Sequence, residues 1–289
     1  MQIGAFNPID VHGLSWKVNN LAGSSGGTSG TDRSAGSATV SEVVLTIKAD
    51  SLDIVDLALS ALAGAFGTSN ATVSLNGGTV LQLDSVTVTG FSSFPLGDSD
   101  DPSLAQVAMS PGQVTLFTKS KSLLGYDVTT GKGTSFCDPT LHFADIGALS
   151  AAILAPDVTQ ISGYEFSSNR QVAEFSQVSQ PSVAFSIRSV FGEDSPCLLS
   201  AVLSSPILPT LLLETLVVLS GDFRPRITKE LLLENVAVTS FELFAGGGSI
   251  GQVVTFAFQR VTFTQREVDD FGTETENVEG YDLLSQTRF

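Results

Sequence analysis

Residues 231–244 read LLLENVAVTSFELF, and residues 81–94 read LQLDSVTVTGFSSF. Laid together they share L-x-L, an acidic residue (Asp84 or Glu234), and then V-x-V-T-x-F-x-x-F. Val86, Val88, Thr89, Phe91 and Phe94 fall on Val236, Val238, Thr239, Phe241 and Phe244. Apolar and polar residues alternate, and β-branched and aromatic side chains are enriched, which predicts a strand buried on one face. Such a strand, repeated at about half the chain length, predicts a tandem duplication. The expected organisation is a first domain over residues 1–132, a linker over 133–156 and a second domain over 157–289.

Working outward, the halves replay one order. Residues 9–18 (IDVHGLSWKV) read as a first strand with Trp16 as a core or interface anchor, and ISGYEFS (161–167) answers it. SEVVLTIK (41–48) alternates as a strand and is answered by SVAFSIR (182–188). Residues 50–65 predict a helix, because Leu52, Val55, Leu59 and Leu62 recur at helical spacing behind an Asp50 or Ser51 cap. Asp194-Ser195-Pro196 opens its counterpart, with proline suited to the first turn. Residues 71–75 and 80–91 predict a hairpin around Asn76-Gly77-Gly78, and 211–218 is the matching strand of the second half. Gly251-Gln252-Val253 repeats Gly112-Gln113-Val114, and Gly280-Tyr281-Asp282-Leu283 repeats Gly125-Tyr126-Asp127-Val128. Residues 94–109 read as an acidic loop with Asp98, Asp100 and Asp101. Residues 256–264 lead into an acidic hairpin around Asp269, Asp270 and Gly272. Residues 19–39 are rich in Gly and Ser and read as a long loop that orders against a neighbouring subunit.

Composition narrows the function. Charged residues are 15% of the chain against 42% hydrophobic, and the net charge is −16. Low charge with high apolar content suits a β-rich protein that buries part of its surface between subunits. An acidic surface repels phosphates and disfavours groove-reading nucleic-acid binding. Cys137 and Cys197 sit in non-equivalent places and read as two small buried residues. No metal-ligand spacing is present. His12 and His142 are the only histidines, and neither has a nucleophile pattern near it. No G-x-S-x-G, H-E-x-x-H or Walker-type loop occurs, and the aspartates lack EF-hand spacing. The expectation is a non-enzyme with no catalytic residues, cofactor or metal. The N-terminus lacks a basic region followed by an apolar one. Residues 198–219, the longest apolar run, are broken by Pro206, Pro209 and Glu214. Synthesis and assembly are therefore expected in the cytoplasm without a signal peptide, with exit through a machine or cell lysis.

The assembled order is strand, Gly-rich loop, strand, D-S-P helix, strand, hairpin, V-x-V-T strand, strand, acidic hairpin and terminal G-Y-D-L. It resembles the Hcp family, the tube proteins of type VI secretion, and the related phage tail-tube proteins. Residues 227–283 resemble the family's C-terminal half nearly element by element. EDSPCLLSAVLSS resembles its helix, and the Gly-rich segment after Trp16 resembles its extended loop. The departure is the fusion of two copies, since the family's usual subunit is single.

The resemblance implies a mainly β fold: two tandem Hcp/tail-tube-like β-barrels, each with one packed α-helix. It implies six-membered rings that stack into a tube, so that three chains with two copies each make one pseudo-hexameric ring. The partner is then the chain itself, as a homotrimer, with sheath, baseplate or spike proteins as further partners. DNA or protein cargo would pass through the lumen, and no membrane partner is implied. The final location would be a virion tail, an injection apparatus or an extracellular filament. Inter-ring contacts would fall on Gly23, Gly26, Gly27, Gly30, Asp269, Asp270 and Gly272. The inner wall would be built from the strands carrying Val86, Val88, Val236 and Val238. The rival readings are a non-polymerising trimeric hub, a filament without a conduit role, and a binding module or secreted effector using the same barrel.

Overall fold

The computed structural model describes residues 2–3, 9–20, 38–48, 59, 66–75, 78–94, 104–117, 122–128, 132–135, 148–150, 161–169, 182–192, 195–204, 207–217, 226–246, 249–268, 274–285 and 287–289. In the first half these form β1 (Gln2–Ile3), β2 (Val11–Asn20), β3 (Ala38–Val40), β4 (Val43–Lys48), β5 (Phe66–Leu75), β6 (Gly78–Phe94), β7 (Leu104–Ser110), β8 (Gln113–Phe117) and β9 (Ser122–Asp127). β10 (Lys132–Ser135) and β11 (Ala148–Ser150) follow. The second half forms β12 (Ile161–Asn169), β13 (Ser182–Val190), α1 (Ser195–Ser204), β14 (Ile207–Val217), β15 (Arg226–Gly246), β16 (Ser249–Ala257), β17 (Arg260–Val268), β18 (Glu274–Asp282) and β19 (Thr287–Arg288). The chain is mainly β.

Alternation makes these strands. Along β4 every second side chain (Val43, Leu45, Ile47) is sealed from solvent while Val44, Thr46 and Lys48 stay half-open. This is the pattern of a sheet with one face on the core. α1 starts where the sequence places it. The Gly192 amide donates to Ser195 Oγ at 2.8 Å, and the Ser195 amide donates back to the Gly192 carbonyl at 3.2 Å. Leu198, Leu199, Ala201 and Val202 then turn inward.

The two halves share one wiring. β2 pairs with β4, β4 with β7, β7 with β6, β6 with β5 and β8, and β8 with β9. β12, β13, β16, β15, β14, β17 and β18 repeat the same antiparallel pairings in the same order. Irregularities repeat too. Ser85 and Asn235, 150 residues apart, are the non-glycine residues with positive φ among those described, at 54° and 52°. A bulge lies between Val88 and Gly90, and another between Val238 and Ser240. The β2 bulge between Val11 and Gly13 recurs in β12 between Ile161 and Gly163. Bulges bend strands and increase their twist. β6 and β15 therefore turn from one layer of their unit to the other, wrapping the core like a barrel.

The register corrects three details of the sequence reading. SVAFSIR answers EVVLTIK two residues out of step, because Val43 and Phe185 occupy equivalent rungs opposite Met109 and Phe256. A slide of two residues leaves every side chain on its face, so the pattern alone cannot detect it. The two Gly-Gln-Val tripeptides are not equivalent. Gly251 stands on the rung that Leu104 holds in the first half, opposite Phe244 and Phe94 respectively. Gly112 corresponds instead to Gln259, since their amides donate to Asp84 and Glu234 carbonyls at 3.0 Å each. Finally, residues 104–109 are not loop but β7. The interval expected to be linker also carries structure: β10 pairs with β9, and β11 adds parallel to β14.

Of the helix expected over residues 50–65, only Leu59 is among the described residues. It is helical but 56% exposed, contrary to its expected place on a buried face. The core is one cluster that runs through both halves.

Candidate functional site

The continuity of that core comes from one junction. β2 of the first half lies antiparallel against the C-terminal part of β15, with rungs from Leu14↔Ala245 to Asn19↔Ser240. Trp16 and Val18 from one side and Phe241 and Leu243 from the other are essentially inaccessible to solvent. The Trp16 indole N–H has no acceptor among the described residues, so its place is held by packing. On the outer face Lys17 Nζ and Glu242 Oε2 are 3.9 Å apart and well exposed, a pair that adds little stability. Beneath the junction, α1 packs against β15 of its own half, against β2 and β9 of the other, and against β10. The Asn20 side-chain amide donates to the Val202 carbonyl at 2.8 Å in a buried setting.

The repeated wiring gives this junction a counterpart that the chain does not make. The equivalent of β2 is β12, whose residues 164–169 pair with β13 on one edge. The equivalent segment of β15 is residues 90–94 of β6, which pair with β7 on one edge. Among the described residues, no strand covers the other edge of either segment. Side chains register the difference. Phe91 is half-buried where Phe241 is fully buried, and Phe166 is half-buried where Trp16 is fully buried. Phe166 leans on Phe258 and Phe263, with centroids 6.0 and 5.4 Å away, and Phe263 is itself 44% exposed.

Charge is concentrated on the β17–β18 hairpin. Arg266 is clamped by both carboxylate oxygens of Glu230, at 2.7 and 3.2 Å, with Glu276 at 3.5 Å and Glu274 at 3.9 Å. Its guanidinium is held even more firmly protonated than usual, chiefly by the hydrogen bond to Glu230. Arg260 Nε donates to Asp282 Oδ2 at 2.7 Å, and Asp282 Oδ1 accepts from the amides of Leu284 and Ser285. These bonds, that from Arg260 foremost, hold the Asp282 carboxyl below the usual aspartate range. In the first half the same rung is Gln113↔Asp127. Burial, followed by the charge of Asp127, pushes the Tyr126 phenol up.

The predicted site residues are placed as follows. Val86, Val88, Val236 and Val238 are all buried in the core, so any wall their strands form would be faced by the alternate residues. Gly23, Gly26, Gly27, Gly30, Asp269, Asp270 and Gly272 lie outside the described residues, as do His142 and Cys137. Cys197 is on α1. His12 is exposed on the rim of a cleft of about 350 Å³, which it shares with Asp10, Ser74 and Ser249. Among the described residues no group of three or more His, Cys, Asp and Glu is arranged to hold a metal ion. Among them, too, no helix is long and apolar enough to cross a membrane. Trp16 was legible as an anchor. Phe91, Phe166 and Asn20 were missed, although the 150-residue offset that pairs Ser85 with Asn235 also pairs Trp16 with Phe166.

No family model matches the chain, and no curated protein matches it. Among solved structures, it is similar to a type six secretion system protein at 18% identity and a TM-score of 0.38, over 45% of this chain and 85% of that one. It is also similar to Hcp1 from Salmonella typhimurium at 12% identity and a TM-score of 0.38, over 48% and 90%. A longer match, over 89% of this chain and 76% of the other, is to the E. coli c3393 protein, a type VI secretion component described as structurally similar to the T4 tail proteins gp27 and gp5; here the identity is 10% and the TM-score 0.34.

Proposed function

We propose that this chain is a structural, non-enzymatic subunit whose copies join edge to edge into rings, and that the rings stack into a hollow tube. The observation that carries the reading is the β2·β15 junction together with its two uncovered counterparts. Within the chain, one unit passes its sheet to the next through β2 and residues 240–245. The chain therefore carries a donor edge on β12 and an acceptor edge on β6 that correspond to a contact it already makes. A head-to-tail contact repeated by rotation either closes into a ring or runs on as a filament. Closure also removes exposed strand edges, a standing liability for β proteins.

Three chains with two units each give a pseudo-six-fold ring, the number implied by the sequence resemblance to tube proteins. Stacking would use the segment between β2 and β3, since residues 19–20 and 38–39 of the expected loop pair within those strands, and the β17–β18 hairpin tip. A tube of this kind works in a virion tail, an injection apparatus or an extracellular filament, with DNA or protein as its cargo where it acts as a conduit.

The proposed register is specific. Lys17↔Glu242 in the internal junction corresponds to Ser167↔Ser92 between chains. Paired strand positions stand about 4.5–5.5 Å apart between Cα atoms, within the span of a disulfide. Ser92→Cys together with Ser167→Cys should give covalent trimers on a non-reducing gel, and either variant alone should not. Negative-stain microscopy across a concentration series should show long tubes with a central channel. Discrete rings that never stack would replace the tube by a hub. Monomers at every concentration, with no disulfide, would overturn the proposal.

A further inference from the structure

We infer that Gln252 decides which strand the β15 edge accepts. It selects β2, through the indole N–H of Trp16, over the β12 strand of a neighbouring copy, which offers Phe166 instead. The inference rests on the ring reading above, because only an assembly brings a competing β12 to that edge.

A polar row inside the core carries the argument. Trp16 stands opposite Leu243, Leu243 opposite Gln252, and Gln252 opposite Ser189. The four side chains therefore lie abreast on one face of β2, β15, β16 and β13. All four residues are at most 2% exposed. The Gln252 side-chain amide donates to Ser189 Oγ at 2.8 Å. Its Oε1 has no donor, and Trp16 Nε1 has no acceptor; among the described residues these are the buried side-chain polar atoms left without a partner. One is a donor, the other is an acceptor, and both belong to the same row. Two strand spacings, about 10 Å, separate their backbones, a gap within the combined reach of an indole and a long amide side chain. A bond between them, direct on rotation of the amide or through one water, satisfies both.

Stability does not ask for this amide. In the first half the rungs of Gln252 and Ser189 are held by Ala105 and Ile47, both fully buried and with no side-chain polar atom to satisfy. A buried amide weakens a core unless all its polar atoms are paired, and the gain it brings is selectivity between arrangements. The competing arrangement here is β12 on the β15 edge, with Phe166 taking the Trp16 position opposite Leu243. The side-chain alternation of β12 allows that seat, since every residue keeps its face. Phenylalanine has no N–H, so Gln252 Oε1 would stay buried and unpaired, which disfavours β12 by a factor of about 10 to 100. β2 thereby keeps its seat within the chain, and β12 is left for the β6 edge of the next copy.

The test uses the full chain carrying Ser167→Cys and Glu242→Cys. Because Lys17 is the residue that faces Glu242, these two cysteines meet only when β12 of one copy occupies the β15 edge of another. Disulfide-linked oligomers on a non-reducing gel therefore count wrong joins, and in this chain they should be scarce. Adding Phe166→Trp gives β12 the missing N–H and should raise them about tenfold. Gln252→Leu should raise them to a similar level by itself, and Phe166→Trp added to Gln252→Leu should change nothing further, because the acceptor is gone. Should Phe166→Trp fail to fold, Trp16→Phe makes the two strands alike, and it should raise wrong joins far more with Gln252 present than with Gln252→Leu. No rise with either aromatic variant, or the same rise with and without Gln252→Leu, would overturn the inference. The Ser92→Cys, Ser167→Cys disulfide separates the two readings. If it forms while Phe166→Trp adds no wrong joins, the ring stands and selection by Gln252 falls. If neither cysteine pair cross-links in any chain, both fall.

Discussion

Trp16 and Leu243 stand opposite each other on the ladder that joins the two halves, and both are sealed from solvent. One comes from near the start of the first unit and the other from the long strand of the second. Their burial turns a backbone pairing into part of a core that runs through both halves. The halves should therefore unfold together.

Trp16→Ala should cost about 3–5 kcal/mol, the range for removing a large buried aromatic. Trp16→Phe should cost much less. Phenylalanine is the residue at the equivalent position 166, and the change removes an indole N–H that lacks an acceptor among the described residues. Urea denaturation followed by circular dichroism checks both. In the wild type, the only tryptophan reports junction opening by its fluorescence. A fluorescence transition well below the circular dichroism transition would show that the junction is not part of the cooperative core.

Ser85 and Asn235 hold a left-handed backbone at equivalent points of β6 and β15. Glycine meets that conformation without penalty, and asparagine better than serine does. Ser85→Gly should stabilise by up to about 1 kcal/mol, and Ser85→Val should destabilise by more than that. Asn235→Gly should change little, because the gain is offset by loss of the 2.8 Å bond from Asn235 Nδ2 to Gln259 Oε1. Equal effects of glycine at both positions would contradict this account.

Asp282 links stability to pH. Its folded pKa lies below the unfolded value, so its contribution is complete above the ordinary aspartate pKa of about 3.9 and is lost as pH falls through the lower folded value. Asp282→Asn removes the charge from the bond to Arg260 and should destabilise the chain at pH 7, modestly because Arg260 is half-exposed. It should also flatten the acid side of the stability profile. Thermal melts from pH 7 down to pH 2 compare the two chains, and a constant difference at every pH would exclude the linkage.

The legible parts of the fold share a cause. Residues 81–94 and 231–244 kept the same alternation and the same aromatic positions, since both strands bury one face in a tightly packed unit. β7 was harder to see. Its inward residues Ala105, Val107 and Met109 do alternate, but they follow an acidic stretch and include an alanine of low strand propensity. The Gly251 match failed for another reason. A tripeptide carries no information about which rung it occupies, and glycine serves a turn at position 112 but lies under the Phe244 ring at position 251.

By itself the sequence determined that the chain is mainly β and that its key strand occurs twice. Side-chain period and aromatic spacing are written residue by residue. Only the tertiary structure decided which edges meet: that β2 closes on β15 within the chain, while β12 and the end of β6 have no such partner among the described residues. Edges pair through backbone N–H and C=O groups that every residue carries. The choice of partner is therefore set by where bulges and long strands bring those edges in space, and the candidate site was invisible until the wiring of both halves could be compared.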